Sequence, residues 1–185
     1  MRFLFLLCSS VALTHAQSFL RSEITFSGGQ SWEVFKSFTE SDTAVSLGGT
    51  YGYRVLKNLA VDAGVFAARD PFPPSCASFG CFNGDNRFIW VPFGARFILP
   101  LKQDRYELSA GGGGLWEHYT VNNPNTAFGA NSYSGWGGYF KVSAGMALDR
   151  GRHFWISGTP RWILANPANQ RDRWFMITGD VSFRF

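Results

Sequence analysis

The 185-residue sequence lacks long apolar runs. A helix that crosses a bilayer needs about 20 consecutive apolar residues, and the only comparable stretch is Phe3–Leu7 at the N-terminus. A helical membrane bundle is therefore excluded. Charge is also sparse, at 16% of residues with a net of +4. No run of five or six basic residues occurs, so nucleic acid is not a partner. Cysteine is scarce, with three in the chain. No cofactor signature is present either. The four glycines Gly111–Gly114 are followed by Leu115-Trp116, not by the Lys-Ser/Thr of a phosphate loop, and no helix begins there. Helical periodicity is nearly absent.

Aromatic residues make up 17% of the chain, and there are 21 glycines. That bias suits closely packed β structure. Met1–Ala16 reads as a cleaved secretory signal: Arg2 opens it, an apolar region follows, and Thr14-His15-Ala16 ends it before Gln17. Bulky Leu7 ahead of Cys8 speaks against a lipoprotein. Residues 17–185 then form one domain, whose two cysteines, Cys76 and Cys81, lie in the segment PFPPSCASFGCFNGD. An exported protein meets an oxidising compartment, so a loop-closing disulfide is the favoured reading. A pair of free thiols is the alternative. A metal site would need further ligands, and His118 and His153 are far away in sequence.

Alternation with period 2 dominates the remainder. In WFMITGDVSFRF, Phe175, Ile177, Val181, Phe183 and Phe185 share one face, while Asp180, Ser182 and Arg184 share the other. The same pattern places seven earlier strands near 20–28, 43–56, 59–69, 87–99, 106–119, 134–149 and 154–164. Short connections at 57–58, 102–105 and 150–153 alternate with long ones rich in Gly, Pro, Asn and Ser. This predicts an all-β, eight-stranded antiparallel up-and-down transmembrane β-barrel. Pro92 and Pro160 fall inside strands, so each should sit at a bulge or local irregularity.

Charge points to which face is inside. The polar face carries Arg21, Arg54, Arg96, Lys141, Arg161 and Arg184 against Glu23, Asp62, Glu107, Glu117, Asp149 and Asp180, six of each sign. The opposite face carries essentially none. A narrow barrel packed with side chains needs such a balance, because buried charges must be paired. The apolar face gathers Tyr53, Tyr106, Phe154, Phe183 and Phe185 toward the short turns. Trp116, Trp136, Trp162 and Phe175 lie toward the long loops, as two membrane interfaces would select.

From Leu20 to Phe185 the chain resembles the small outer-membrane barrels typified by the OmpA transmembrane domain and OmpX-like proteins. The resemblance rests on the signal segment, the loop pattern and the closing VSFRF. It implies a location in the bacterial outer membrane, with lipid and lipopolysaccharide as surroundings. It also implies that Val181, Phe183 and Phe185 form the signal read by the barrel-assembly machinery, and that no periplasmic domain is appended. The expected role is non-enzymatic, with long loops that contact an external protein or glycan. For Arg171 and Arg173 ordinary solvated charge is the favoured reading, and contact with lipopolysaccharide phosphates the alternative. Three alternatives compete: an enzyme acting on lipid A, a narrow pore, and a soluble lipocalin-like barrel. The enzyme reading lacks a His-x-Ser pair along the chain at His118 or His153.

Overall fold

The computed structural model describes residues 19–34, 43–71, 75–77, 80–82, 85–122, 131–166 and 172–185. Its strands are β1 (Ser22–Glu33), β2 (Thr43–Leu56), β3 (Leu59–Pro71), β4 (Ser75–Ala77), β5 (Gly80–Phe82), β6 (Asp85–Leu101), β7 (Tyr106–Asn122), β8 (Asn131–Ala147), β9 (Phe154–Ala165) and β10 (Asp172–Arg184). Eight of them close into a barrel in the order β1-β10-β9-β8-β7-β6-β3-β2, and β4-β5 form a separate hairpin. Every barrel pairing is antiparallel. Closure is made by β1 on β10, from Glu23 opposite Arg184 to Glu33 opposite Trp174. The backbones of Ser22 and Phe185 exchange both hydrogen bonds at 2.9 Å.

The alternation in the sequence becomes an inside-out distribution of polarity. On β10, Trp174, Met176, Thr178, Asp180, Ser182 and Arg184 are buried, while Ile177, Val181, Phe183 and Phe185 are exposed. The same phase runs around the sheet. Phe26 is 70% exposed, Trp136 68% and Val45 67%. An apolar surface continuous around a barrel far exceeds the patches that soluble monomers expose. The soluble lipocalin-like reading fails on this point, since such a barrel hides its apolar face inside.

Four details depart from the sequence reading. First, β1 runs on through Gly28-Gly29 to Glu33. A Cβ at Gly29 would lie 1.9 Å from the Ile177 carbonyl oxygen, so this glycine permits close approach to β10 and does not mark a loop. Second, several strands have 17 residues, more than the roughly 9–11 that cross hydrocarbon. Third, Pro92 and Pro160 do sit at local irregularities, but as gaps in pairing with no bulge or register shift. Pairing skips Val91 and Pro92 on the β3 side, and Thr159 and Pro160 on the β8 side, then resumes in register. The register shift recorded on the β2–β3 ladder lies at Arg54–Leu56, beside the first short turn.

Fourth, Asp149 is not an interior residue. It lies in the turn between β8 and β9, where its carboxylate accepts the Phe154 backbone N–H at 2.8 Å. That bond, foremost, holds the carboxyl below its usual pKa. The polar phase continues on paper past Ala147, but the strand ends there, so Asp149 caps the turn. Arg21 likewise stays exposed ahead of β1. One cation and one anion leave the expected set together, which leaves five of each sign, but Asp70 adds a further buried carboxylate in the inward phase of β3.

The exposed belt gives a direct test. Val65 lies mid-strand on the outer face and is 52% exposed. Val65→Arg should destabilise the lipid-embedded barrel by about 2–4 kcal/mol, the cost of a cation near the bilayer midplane. Denaturant titration in vesicles measures this. A change within about 0.5 kcal/mol, as for an ordinary surface position in water, would rule out a lipid-facing belt.

Candidate functional site: the filled lumen and its two rims

Inward-facing side chains divide the lumen into two levels. The level near the short turns is ionic. Arg184 on β10 reaches Glu107 on β7 with both terminal nitrogens, at 2.9 and 3.0 Å. Its Nε donates to Glu23 on β1 at 2.5 Å. Arg54 on β2 meets Glu107 at 2.6 Å. Arg96 on β6 bridges Glu23 at 2.6 Å and Asp62 at 3.2 Å, and Lys141 on β8 meets Asp62 at 2.8 Å. These seven residues form one chain of alternating charge across seven strands. Arg161 and Asp180 make a second group, 3.7 Å apart. Thr178 joins them, accepting from Arg161 at 2.8 Å and donating to Asp180 at 2.8 Å. Thr159 also donates to Asp180.

Two rings brace this network. The Arg184 guanidinium lies 3.8 Å from the centre of the Trp155 ring, and that of Arg161 lies 4.3 Å from the centre of Phe66. Desolvated cation–π contacts of this kind contribute about 2 kcal/mol. The space left among these groups is about 30 Å³, room for one or two waters and no channel.

The level near the long loops is aromatic. Phe66, Phe88, Trp90, Leu115, Ile163, Trp174 and Met176 face inward and form one buried cluster. Phe88 stacks on Tyr119 at 4.7 Å and meets Trp174 edge-on at 4.7 Å. The charge count could not reveal this plug, although its residues share the inward phase of the charged ones. Glu117, expected in the charge network, is fully buried at this level, opposite Trp90 in register.

The aromatic bands expected on the outer face are present. Phe154, Phe183 and Phe185 make successive contacts at 5.1 and 5.8 Å near the short turns. Trp162 meets Phe175 at 5.0 Å near the long loops. The loop-side rim also places two arginines outward. Arg69 and Arg87 are cross-strand partners. Each donates its Nε to the same buried Asp85 oxygen, at 2.6 and 2.9 Å, and their side chains stay 67% and 60% exposed. The shared carboxylate holds both guanidiniums through Nε on side chains that stay largely exposed.

Sequence spacing missed one contact. His118 Nδ1 lies 2.9 Å from Ser134 Oγ across the β7–β8 ladder. The other ring nitrogen faces the Thr120 hydroxyl at 3.4 Å, where a nucleophile–base pair would carry an orienting carboxylate. Arg171 lies outside the described residues. In the β4–β5 hairpin, Cys76 and Cys81 are directly opposed backbone partners.

No protein-family model and no curated protein matches the sequence. Solved structures match its shape. Neisserial surface protein A aligns with a TM-score of 0.68 at 12% identity, over 89% of this chain and 97% of that one. Ail, the attachment invasion locus protein of Yersinia pestis, aligns at 0.58 and 12% identity, over 89% and 100%. OprG from Pseudomonas aeruginosa aligns at 0.56 and 12% identity, over 91% and 99%. The chain has the fold of the small bacterial outer-membrane barrels. At such low identity the likeness fixes architecture, and the residues that fill the lumen are this chain's own.

The network predicts an asymmetry in stability. Glu107→Gln leaves Arg54 and Arg184 facing each other without their shared carboxylate. It should cost about 3–5 kcal/mol, the scale for breaking a buried ion pair. Adding Arg54→Met should recover part of the loss. Urea unfolding followed by band-shift electrophoresis reads both, and equal stability of the single variant and the parent would contradict a working network.

Proposed function

We propose that the protein is an outer-membrane anchor whose filled barrel holds long loops at the cell surface. The single observation that carries this reading is the lumen: ion pairs occupy one level and aromatic rings the other, so the barrel offers no path through itself. The work then falls to its ends. Export through the Met1–Ala16 signal, which lies outside the described residues, and recognition of Val181, Phe183 and Phe185 by the barrel-assembly machinery belong to the same reading. All three of these residues face outward, in the phase that an external reader of the strand would meet.

Arg69 and Arg87 support contact with anions at the loop-side rim. Outer-leaflet lipopolysaccharide supplies phosphates at that height, and paired guanidiniums suit phosphate geometry. Arg173 belongs to the same rim. Loops above it contact an external protein or glycan. Ail has been solved with the heparin analogue sucrose octasulfate, and this chain matches that structure at a TM-score of 0.54 and 15% identity. A barrel of this shape can therefore present a polyanionic saccharide site. The role is non-enzymatic, since the His118–Ser134 pair has a hydroxyl where a carboxylate would complete it.

Two measurements test the proposal. Cell fractionation with surface proteolysis should place the protein in the outer membrane, with cleavage confined to the long loops. Planar-bilayer recording should show no steady conductance. Recovery in the soluble fraction or a stable open channel would each defeat it.

The loop hairpin adds a bonded pair to this proposal. Directly opposed antiparallel residues have Cα atoms about 4.5–5.5 Å apart, inside the range a disulfide spans. Closing so short a loop restricts the unfolded chain by roughly 2 kcal/mol in the entropy model. Thiol labelling should be absent at Cys76 and Cys81 until a reductant is added; full labelling of the unreduced protein would show free thiols.

A further inference from the structure

The barrel mouth at the short turns holds a cavity of about 430 Å³. Four cations line it, Arg54, Lys57, Arg152 and Arg184, with two carboxylates, Asp104 and Glu107. Both carboxylates are already shared. Asp104 sits between Lys57 at 3.5 Å and Arg152 at 3.0 Å. Glu107 sits between Arg54 at 2.6 Å and Arg184 at 2.9 Å. The deeper acids are shared as well, Glu23 by Arg96 and Arg184, and Asp62 by Arg96 and Lys141. In this connected end of the barrel six cations face four carboxylates, an excess of two positive charges. Arg54 Nε is buried without a hydrogen-bond partner.

The cover of the cavity is unusual in its backbone. Lys57, Asp104 and Arg152 come from the three short turns, so Asp104 ties all three together over the mouth. Asp104 and Arg152 both adopt left-handed conformations, at φ 63° and 61°. Residues other than glycine rarely do so, and held conformations of this kind concentrate at ligand clamps. The tie itself is half-exposed, so its ion pairs are weak and can exchange partners.

We propose that this vestibule binds a phosphate-bearing dianion entering from the side of the short turns. A phosphate monoester carries about −1.5 to −2 at neutral pH, which matches the excess charge. A carboxylate would leave half of it uncompensated. Lys57 and Arg152 turn from Asp104 to the ligand, while Arg54 and Arg184 form the floor. The phosphate comes either from a soluble ester or from a phospholipid headgroup of the leaflet beside the turns.

The test uses the full chain folded in a phosphate-free nonionic detergent at low salt. Inorganic phosphate and dihexanoyl phosphatidate, the latter below its micellar concentration, are titrated by calorimetry. Tryptophan fluorescence provides a second readout, the part lost in Trp155→Phe being assigned to that ring, which lies in the cavity wall beneath Arg184. Saturable binding near one per barrel is expected. It should weaken at least tenfold in the double variant Lys57→Gln/Arg152→Gln and stay unchanged in Lys102→Gln. Tighter binding of inorganic phosphate would assign a soluble ester, and tighter binding of phosphatidate a headgroup. Asp104→Asn, which frees both gate cations, should tighten binding several-fold, and this arm decides the matter if the double variant fails to fold. Absence of saturable binding by both probes, or unchanged affinity in the double variant and Asp104→Asn, would overturn the proposal.

Discussion

Arg184 touches the barrel from the inside at three places. It pairs with Glu23 on the first strand and with Glu107 on β7, and it lies over the Trp155 ring on β9. The strand that carries it also closes the sheet against β1. A curved sheet closes when its edge groups find partners, but closure fixes only the rim of the lumen. The charges pointing inward must each find an opposite charge, because a buried ion without one costs several kcal/mol. Backbone closure and charge pairing therefore depend on each other. The β1–β10 register sets Glu23 opposite Arg184, and a slip by one residue would turn the whole inward set of β10 outward.

That constraint explains the two levels of the lumen. Long cations can cross a narrow interior and reach acids on distant strands, as Arg96 does to Glu23 and Arg184 to Glu107. Flat rings cannot reach across in this way but can fill the width, as Phe88, Trp90 and Trp174 do. Ion pairs supply cross-barrel links, and rings supply volume. The fill is complete because the two kinds of side chain occupy different heights. The polar–apolar boundary within the lumen lies near Arg161, which pairs with Asp180 below and stacks on Phe66 above.

The fold was legible in the sequence because a membrane barrel writes its alternation plainly. From Trp174 onward each β10 residue keeps the face that its parity predicts, and β2 has the expected bounds. The network partners Arg54, Asp62, Arg96, Glu107, Lys141, Arg161, Asp180 and Arg184 were readable as inward charges, although which one meets which was not. Pairing depends on register between strands far apart in sequence, such as Glu23 with Arg96. Asp149 and Arg21 were misplaced because parity does not say where a strand stops. The aromatic plug was overlooked for a related reason. An apolar residue in the polar phase, such as Trp90 or Trp174, reads as an exception until closure shows that the interior needs volume as well as charge.

The remaining asymmetry concerns the ends. The lumen as a whole holds no excess of cations, since Asp70 joins the five expected acids against five buried cations, yet the network around the short turns is positive on its own. Glu117 lies a level higher, among rings, so it contributes its charge far from the cations at the mouth. Lys57 and Arg152 add two more cations there against Asp104 alone. Over the short distances of a low-dielectric interior, separation of this sort is felt directly and is screened little by salt. A barrel whose lumen has no net excess of cations can thus present a positive end, and that end faces an aqueous cavity closed by three turns. The same packing that fills the lumen concentrates an excess of positive charge where a ligand could reach it.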